Sequence, residues 1–222
     1  MTYRKDGENA LSLVGAAYQI FDFARTVTGF FSLDVTVKKA AVLYILFDEL
    51  TFAREGCTVV DPFRNTCCNV LKYTLAPGRY HLLSMEANTA RYANIVTTAG
   101  ETEIHAFGMV SYENPDAKHF AYDYHDAELN KIVAAAVNTF AQNAVDVLTD
   151  CPSRERAGWL CDSYFSSRAE ALFTGENRVE RNFLENYAMA APSPFLPAGM
   201  LPMCYPSDHN DGVYIPNWTM WY

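Results

Sequence analysis

The spacing of apolar residues changes abruptly near Lys118, and this change most constrains the fold of the chain. Before it, β-branched and aromatic residues alternate in short runs, as over residues 33–37. After it, apolar residues recur every three or four positions over residues 129–148, the spacing of an amphipathic helix. We therefore expect two domains, at residues 1–118 and 119–222.

The first domain is predicted to be an antiparallel β-sandwich, because short strand patterns follow one another without intervening helices. Turns are expected at Gly29, at Lys38-Lys39 and at Pro77-Gly78, and a polar loop over residues 54–69. The predicted strands cover residues 18–23, 30–37, 40–50, 70–75, 80–85, 93–97 and 103–112.

The second domain begins with a long predicted helix. Asp126 is a suitable N-cap, and Pro152 restricts Cys151 to extended geometry, so the helix is expected to end near Asp150. Further helices are predicted over residues 163–173 and 177–189.

Turn and loop signals follow these helices. Gly175 should stop the second helix. The proline-rich residues 191–216 are expected to form an ordered, packed loop, and Pro216 to occupy the first position of a further helix. His209 has no partner histidine nearby, so it is interpreted as part of a solvated turn rather than a metal site.

The composition excludes several classes of protein. Hydrophobic residues make up 50% of the 222 residues, which favours a packed core, and the net charge of -9 without a basic run argues against nucleic-acid binding. The longest apolar run, residues 40–47, is too short to span a membrane. No signal peptide is evident, so the compartment is taken as cytoplasmic by default, with the periplasm open if the chain is a fragment. The six cysteines have neither zinc-ligand spacing nor the density of a disulfide framework, and no metal or cofactor is expected.

Residues 150–162 carry the highest density of reactive groups in the chain, with the sequence DCPSRERAGWLCD. If Asp150 lies at the C-terminal end of a helix, the helix dipole disfavours its ionised form. A turn through Pro152 can bring Glu155 near Asp150, so that one carboxyl is neutral while Arg154 or Arg156 holds the other ionised. Such a pair suits a general acid beside a charge-stabilising carboxylate.

A simpler interpretation of the same residues stays open. Carboxylates at this spacing, together with two arginines, also occur in solvated loops with helix caps and surface ion pairs. In that case Asp162 serves only as the N-cap of the second helix.

The thirteen residues closely resemble the signature of bacterial α-L-rhamnosidases, glycoside hydrolase family seventy-eight. The resemblance implies a β-sandwich followed by the first helices of an incomplete (α/α)6 barrel, residues 119–222 being the N-terminal part of that barrel. It also implies inverting hydrolysis of terminal α-L-rhamnosyl residues, with a rhamnose-containing glycoside or oligosaccharide as the ligand.

The resemblance implies a role for each matching residue. Glu155 corresponds to the general acid that protonates the leaving oxygen. The residues that would bind and orient the rhamnose ring are Asp150, Arg154, Trp159 and Asp162, with Trp218 as a weaker candidate for the pocket wall. Cys161 departs from the family, which usually has glycine there.

The general base of an inverting site is not identified in residues 163–222. Their glutamates are interpreted as ordinary surface charges of helices: Glu170, Glu176, Glu180 and Glu185. The chain is therefore expected to be a fragment that is inactive by itself. Apolar faces at Phe140, Phe183 and Trp221 are expected to lack partners, so either aggregation or a homodimer that covers them is predicted.

An alternative function is a non-catalytic carbohydrate-binding module formed by the sandwich. It requires an aromatic stripe on one exposed sheet face. The candidates for that stripe are Tyr80, Tyr92, Phe107 and Tyr112.

Overall fold

The structure, a computed structural model, describes residues 10–206 and 213–222. It separates the chain into two units, the first ending at Tyr112 and the second beginning at Glu113. The assignment of 1–118 and 119–222 as domains stays a prediction. The predicted turn at His209 lies outside the described residues.

The first unit consists of strands. Two of them are long, β2 (Ala17–Asp48) and β7 (Asn88–Ser111). The others are short: β1 (Leu11–Val14), β3 (Phe52–Arg54), β4 (Cys57–Val59), β5 (Val70–Leu75) and β6 (Gly78–Leu83). A 3₁₀ turn covers Arg64–Thr66.

Antiparallel pairing arranges these strands in two layers. One layer has four strand segments, in the order residues 17–22 of β2, residues 92–97 of β7, residues 42–48 of β2, and β5. In the other, β1, the second half of β7, residues 28–37 of β2 and β6 follow one another. Both long strands therefore pass from one layer to the other.

The core of the first unit lies between the layers. Alternate residues of β2 are buried, and Phe31 of one layer meets Phe47 of the other with ring centroids 5.0 Å apart. Phe21 and Phe107 make a second contact of this kind, at 4.8 Å. The strand-rich first unit expected from the alternation is thus present.

The turn predicted at Lys38-Lys39 is wrong, since β2 continues through it. Lys38 and Lys39 pair across the ladder with Glu103 and Glu101, where the register shifts. The partner strand bends at the same place, because Gly100 has φ +94 and leaves no room for a Cβ, which would lie 2.5 Å from a backbone oxygen of β2. A bend in both strands replaces the turn.

The turn predicted at Gly29 is also wrong. Gly29 pairs with both Asn88 and Ser111, where β2 passes between the two ends of β7. A Cβ there would lie 2.2 Å from the Val110 carbonyl oxygen. The glycine allows close approach of two backbones rather than a reversal.

A binding module requires an aromatic stripe on an exposed sheet face, and two of the four candidate residues for that stripe pack in or against the core instead. Phe107 is buried in the core, and Tyr80 packs against the core and donates its hydroxyl to the Ala76 carbonyl at 2.9 Å. Tyr92 lies under the Arg91 guanidinium, 4.8 Å from its ring centre. The four rings do not share an exposed face.

The second unit contains α1 (Ala127–Asn143), α2 (Leu160–Thr174) and α3 (Arg178–Ala188). Two 3₁₀ segments, Asp116–His119 and Pro216–Trp221, flank them. Three predicted boundaries are confirmed: the Asp126 side chain caps α1, Gly175 ends α2 with φ +71, and Pro216 starts its segment.

The predicted end of α1 near Asp150 is wrong, because the helix ends at Asn143. The Asn143 carbonyl accepts the Thr149 N–H at 2.8 Å, and the Ala144 carbonyl accepts from the Asn114 amide at 2.7 Å. A short bridge between Ala144 and Leu148 closes the loop that follows. Asp150 is therefore not at a helix C-terminus, and the dipole argument does not apply to it.

The apolar residues expected to lack partners are mostly buried. Phe140 and Phe183 are 7% and 1% exposed within the core of the second unit, so the prediction is wrong for both. Trp221 is 39% exposed and contacts Tyr164, with ring centroids 4.8 Å apart.

The described residues contain neither a disulfide, nor a cluster of metal ligands, nor a membrane-spanning helix. No disulfide joins the six cysteines, all of which lie in the described ranges. No group of three or more potential metal ligands occurs there. None of the described helices is long and apolar enough to cross a membrane.

Candidate active site

The loop over residues 150–157 is closed by a pair of hydrogen bonds between its ends. The Asp150 N–H donates to the Ala157 carbonyl at 3.1 Å, and the Asp150 carboxylate accepts the Ala157 N–H at 3.3 Å. Both Asp150 and Glu155 are half-buried. The turn predicted through Pro152 is thus part of a closed loop that contains both carboxylates.

Glu155 is held within this loop by its backbone and its side chain. Its N–H donates to the Cys151 thiol sulfur at 3.3 Å. Its carboxylate forms an ion pair with Arg154, whose side chain is 52% exposed. Because about half of the arginine side chain is solvated, this pair contributes little stability.

The two tryptophans of the candidate site are in contact. The Trp159 and Trp218 rings lie 5.6 Å apart, centre to centre, with an interplanar angle of 85°. Both pack against a small apolar cluster that includes Ala157, the residue that closes the loop on Asp150. The structure therefore connects the carboxylate loop to an aromatic pair that is only half-buried.

The backbone between the loop and α2 is tightly packed at Gly158. Its carbonyl accepts the Tyr187 hydroxyl at 2.8 Å and the Tyr205 N–H at 3.1 Å. A Cβ at this position would lie 2.6 Å from the Tyr205 carbonyl oxygen and 2.7 Å from the Phe183 ring. Only glycine fits here without displacing its neighbours.

The two residues at the end of the signature lie in the first turn of α2. Asp162 is exposed and does not cap the helix, because the N-cap residue is Trp159; the capping interpretation is wrong. Burial, aided by the Asp162 charge, raises the pKa of the neighbouring Cys161 thiol above its ordinary value. Among the described residues, Asp162 makes no hydrogen bond or ion pair with the other candidates.

Sequence reasoning missed the role of Glu170. It was expected on a helix surface, but its side chain is buried and its carboxylate oxygens accept the Val179 and Glu180 N–H groups at 2.7 and 2.8 Å. It thus caps α3 from α2. Glu185 is exposed and pairs with Arg181, whereas Glu180 is half-buried and pairs with the exposed Arg168.

The helical unit with this loop matches a class of glycosidase domains. Residues 119–222 match the family model described as bacterial alpha-L-rhamnosidase 6 hairpin glycosidase domain. The resemblance of the chain to bacterial α-L-rhamnosidases is thereby confirmed.

Solved structures extend the similarity of fold to most of the chain. A GH78 family rhamnosidase of Bacillus sp. GL1 superposes with a TM-score of 0.77 at 22% identity, over 93% of this chain and 21% of that one. A rhamnosidase from Klebsiella oxytoca with rhamnose bound gives 0.70 at 15% identity, over 95% and 43%. An α-L-rhamnosidase from Dictyoglumus thermophilum gives 0.70 at 18% identity, over 96% and 24%.

These matches cover nearly all of this chain but only part of each rhamnosidase. The chain spans less than half the length of each of these three rhamnosidases. No curated protein matched the chain.

Proposed function

We propose that the chain carries the acid-bearing part of an α-L-rhamnosidase site, which hydrolyses terminal α-L-rhamnosyl residues with inversion. The observation that carries the proposal is the closed loop of residues 150–157, which holds Glu155 in the unit that matches a rhamnosidase domain. This unit would be the first part of an (α/α)6 barrel, of which α1, α2 and α3 are the opening helices.

In the proposed reaction, Glu155 is the general acid. Its carboxyl group donates a proton to the glycosidic oxygen as the bond from that oxygen to the anomeric carbon breaks. A water molecule then attacks the anomeric carbon from the opposite face and loses a proton to a base. Arg154 must exchange its contact with Glu155 for substrate before the acid can act.

The proposed base is supplied from outside the described residues. An inverting site places its two carboxyl groups about 6.5–9.5 Å apart to admit the water. Glu170 uses its carboxylate oxygens to cap α3, and Glu180 and Glu185 pair with arginines. Glu170 is therefore not suited to activate a water, and we propose that Glu180 and Glu185 serve only as surface charges. The chain alone is accordingly proposed to bind ligand without turnover.

The remaining candidates are proposed to bind the rhamnose ring. Trp159 and Trp218 offer a half-buried apolar surface, against which the C–H face of a sugar and its methyl group can pack. Asp150 and Asp162 would accept hydrogen bonds from ring hydroxyls. A homodimer also remains part of the proposal, because α2 exposes Phe165 and Leu172.

Hydrolysis of a chromogenic aryl α-L-rhamnoside tests the acid assignment. The chain is joined to the helices that complete the catalytic domain of the Klebsiella oxytoca rhamnosidase, and the Glu155→Gln variant is assayed beside it. We expect kcat to fall by about 10²–10⁴-fold, the usual contribution of general acid catalysis. Glu176→Gln, at an exposed position of the same unit, is the matched control and should keep full activity.

Two results separate the parts of this proposal. Full activity of Glu155→Gln would overturn the acid assignment. Binding of L-rhamnose to the chain alone is followed by tryptophan fluorescence, since all three tryptophans lie in the second unit. A fluorescence change that saturates with L-rhamnose, and that Asp150→Asn weakens, is the expected outcome.

A further inference from the structure

The Cys151 thiol belongs to the closed loop and contacts the backbone of Glu155. Its sulfur accepts the Glu155 N–H at 3.3 Å. Burial and the adjacent Asp150 carboxylate raise the pKa of the thiol, whereas the backbone N–H groups of Glu155 and Arg156 lower it. One side chain therefore interacts with the residue proposed to bind the sugar and with the backbone of the proposed acid.

The chemistry of a protonated thiol suits both contacts. An S–H group can donate one hydrogen bond, for which the adjacent Asp150 carboxylate is the acceptor in our proposal, while the sulfur accepts the Glu155 N–H. Burial raises the pKa of the Cys151 thiol above its ordinary value, so it stays protonated and able to donate at neutral pH.

The closure of the loop alone does not fix Glu155. The hydrogen bonds of Asp150 reach Ala157, two residues beyond Glu155, and the Glu155 side chain pairs with an arginine that is about half solvated. Among the contacts the structure describes, the bond to sulfur is the one that connects the Glu155 backbone to the start of the loop.

We propose that Cys151 is a positioning residue, whose thiol fixes the backbone of Glu155 relative to the carboxylate of Asp150. This inference rests on the function proposed above for its consequence in catalysis, but the geometry that it asserts can be tested without turnover.

The test measures hydrogen exchange of the Glu155 N–H by NMR in the full chain and in its Cys151→Ala and Cys151→Ser variants. Loss of the acceptor should speed this exchange roughly fivefold, the factor that corresponds to a hydrogen bond of about 1 kcal/mol. Serine keeps both a donor and an acceptor, so Cys151→Ser should stay within about twofold of the parent. Cys161→Ala is the matched control, since that thiol is also half-buried and lies outside the loop, in α2.

Exchange of the Ala157 N–H, which donates to Asp150, serves as the internal reference and should not change. A Glu155 N–H that exchanges equally fast in the parent and in Cys151→Ala would overturn the proposal. So would a Glu155 N–H that is unprotected in the parent chain, and this second result does not depend on how well the alanine variant folds.

Added L-rhamnose provides a readout that a merely structural thiol would not change. Binding at Asp150 should slow Glu155 exchange further in the parent and in Cys151→Ser, but not in Cys151→Ala. If L-rhamnose does not alter tryptophan fluorescence at all, the proposed function fails, whereas the dependence of Glu155 exchange on Cys151 still decides the positioning role. If rhamnose binds and Cys151→Ala retains the same additional protection, the positioning role fails and the proposed function stands.

Discussion

Replacing Glu170 by glutamine should strongly destabilise the second unit. Glu170 is 1% exposed, and its carboxylate oxygens accept the first N–H groups of α3. Glutamine keeps one acceptor oxygen but places an NH₂ group opposite the other N–H. The variant therefore loses one charge-assisted hydrogen bond and weakens the second at a buried site.

The magnitude follows from these contacts. A hydrogen bond to a charged group contributes about 1.5–3 kcal/mol, and a carboxylate at a helix N-terminus adds about 0.5–2 kcal/mol. We expect the free energy of unfolding to fall by about 3 kcal/mol. With a urea m-value of about 2 kcal/mol/M, the midpoint should move down by about 1.5 M.

Urea unfolding followed by tryptophan fluorescence measures this change, because all three tryptophans belong to the second unit. Glu176→Gln, two residues after the end of α2, is exposed and should change the free energy of unfolding by less than about 0.5 kcal/mol. A Glu170→Gln variant as stable as this control would refute the capping role of Glu170.

Three further outcomes can be measured. Tyr187→Phe should lose about 1 kcal/mol at pH 7, because its hydroxyl no longer donates to Gly158. Burial raises the pKa of Tyr187, so its ionisation stabilises the unfolded chain above about pH 10, and urea midpoints of the phenylalanine variant should fall less steeply from that pH upward. Gly158→Ala should cost about 2–3 kcal/mol in the same assay, since its Cβ would lie 2.6 Å from the Tyr205 carbonyl oxygen. Sedimentation should show dimers at micromolar concentration that Phe165→Glu dissociates; dimers that persist in the variant would place the contact elsewhere than on the exposed Phe165 and Leu172 of α2.

Local signals in the sequence predicted several elements correctly. The strand over 70–75 has its predicted bounds, and Gly175 ends α2 because only a residue that tolerates a left-handed backbone can close that helix easily. The inward face of α3 also follows from spacing, with Val179, Phe183 and Tyr187 buried.

The errors arise where distant residues decide. Asn114 and Thr149 donate hydrogen bonds to the carbonyl groups at the end of α1. The helix therefore ends there, although its apolar spacing continues to Leu148. Glu170 is a charged residue in a helix whose partners lie nine and ten positions later. No short-range pattern distinguishes it from the glutamates at the surface.

Within the candidate site, sequence reasoning identified the loop but not its construction. Its residues were found from a resemblance, and Glu155 was expected near Asp150 because of Pro152. The thiol of Cys151 and the hydroxyl of Tyr187 were missed as hydrogen-bonding partners. Both are common as inert core groups, and only coordinates show that they hold this backbone.

The position of β7 determines when the first unit can assemble during protein synthesis. This strand lies at the centre of both layers, yet it is the last of the seven to leave the ribosome. Until residues 92–104 of β7 have emerged, β1 lacks its partner, and the segment of β2 over 17–22 remains unpaired. The pairs of β2 with β5 and with β6, and of β3 with β4, do not involve β7 and can form earlier. The nascent chain therefore presents apolar strand edges for the time needed to synthesise about a hundred residues, roughly 5–20 s at bacterial rates. A chaperone that shields extended apolar segments would act on the chain during this interval.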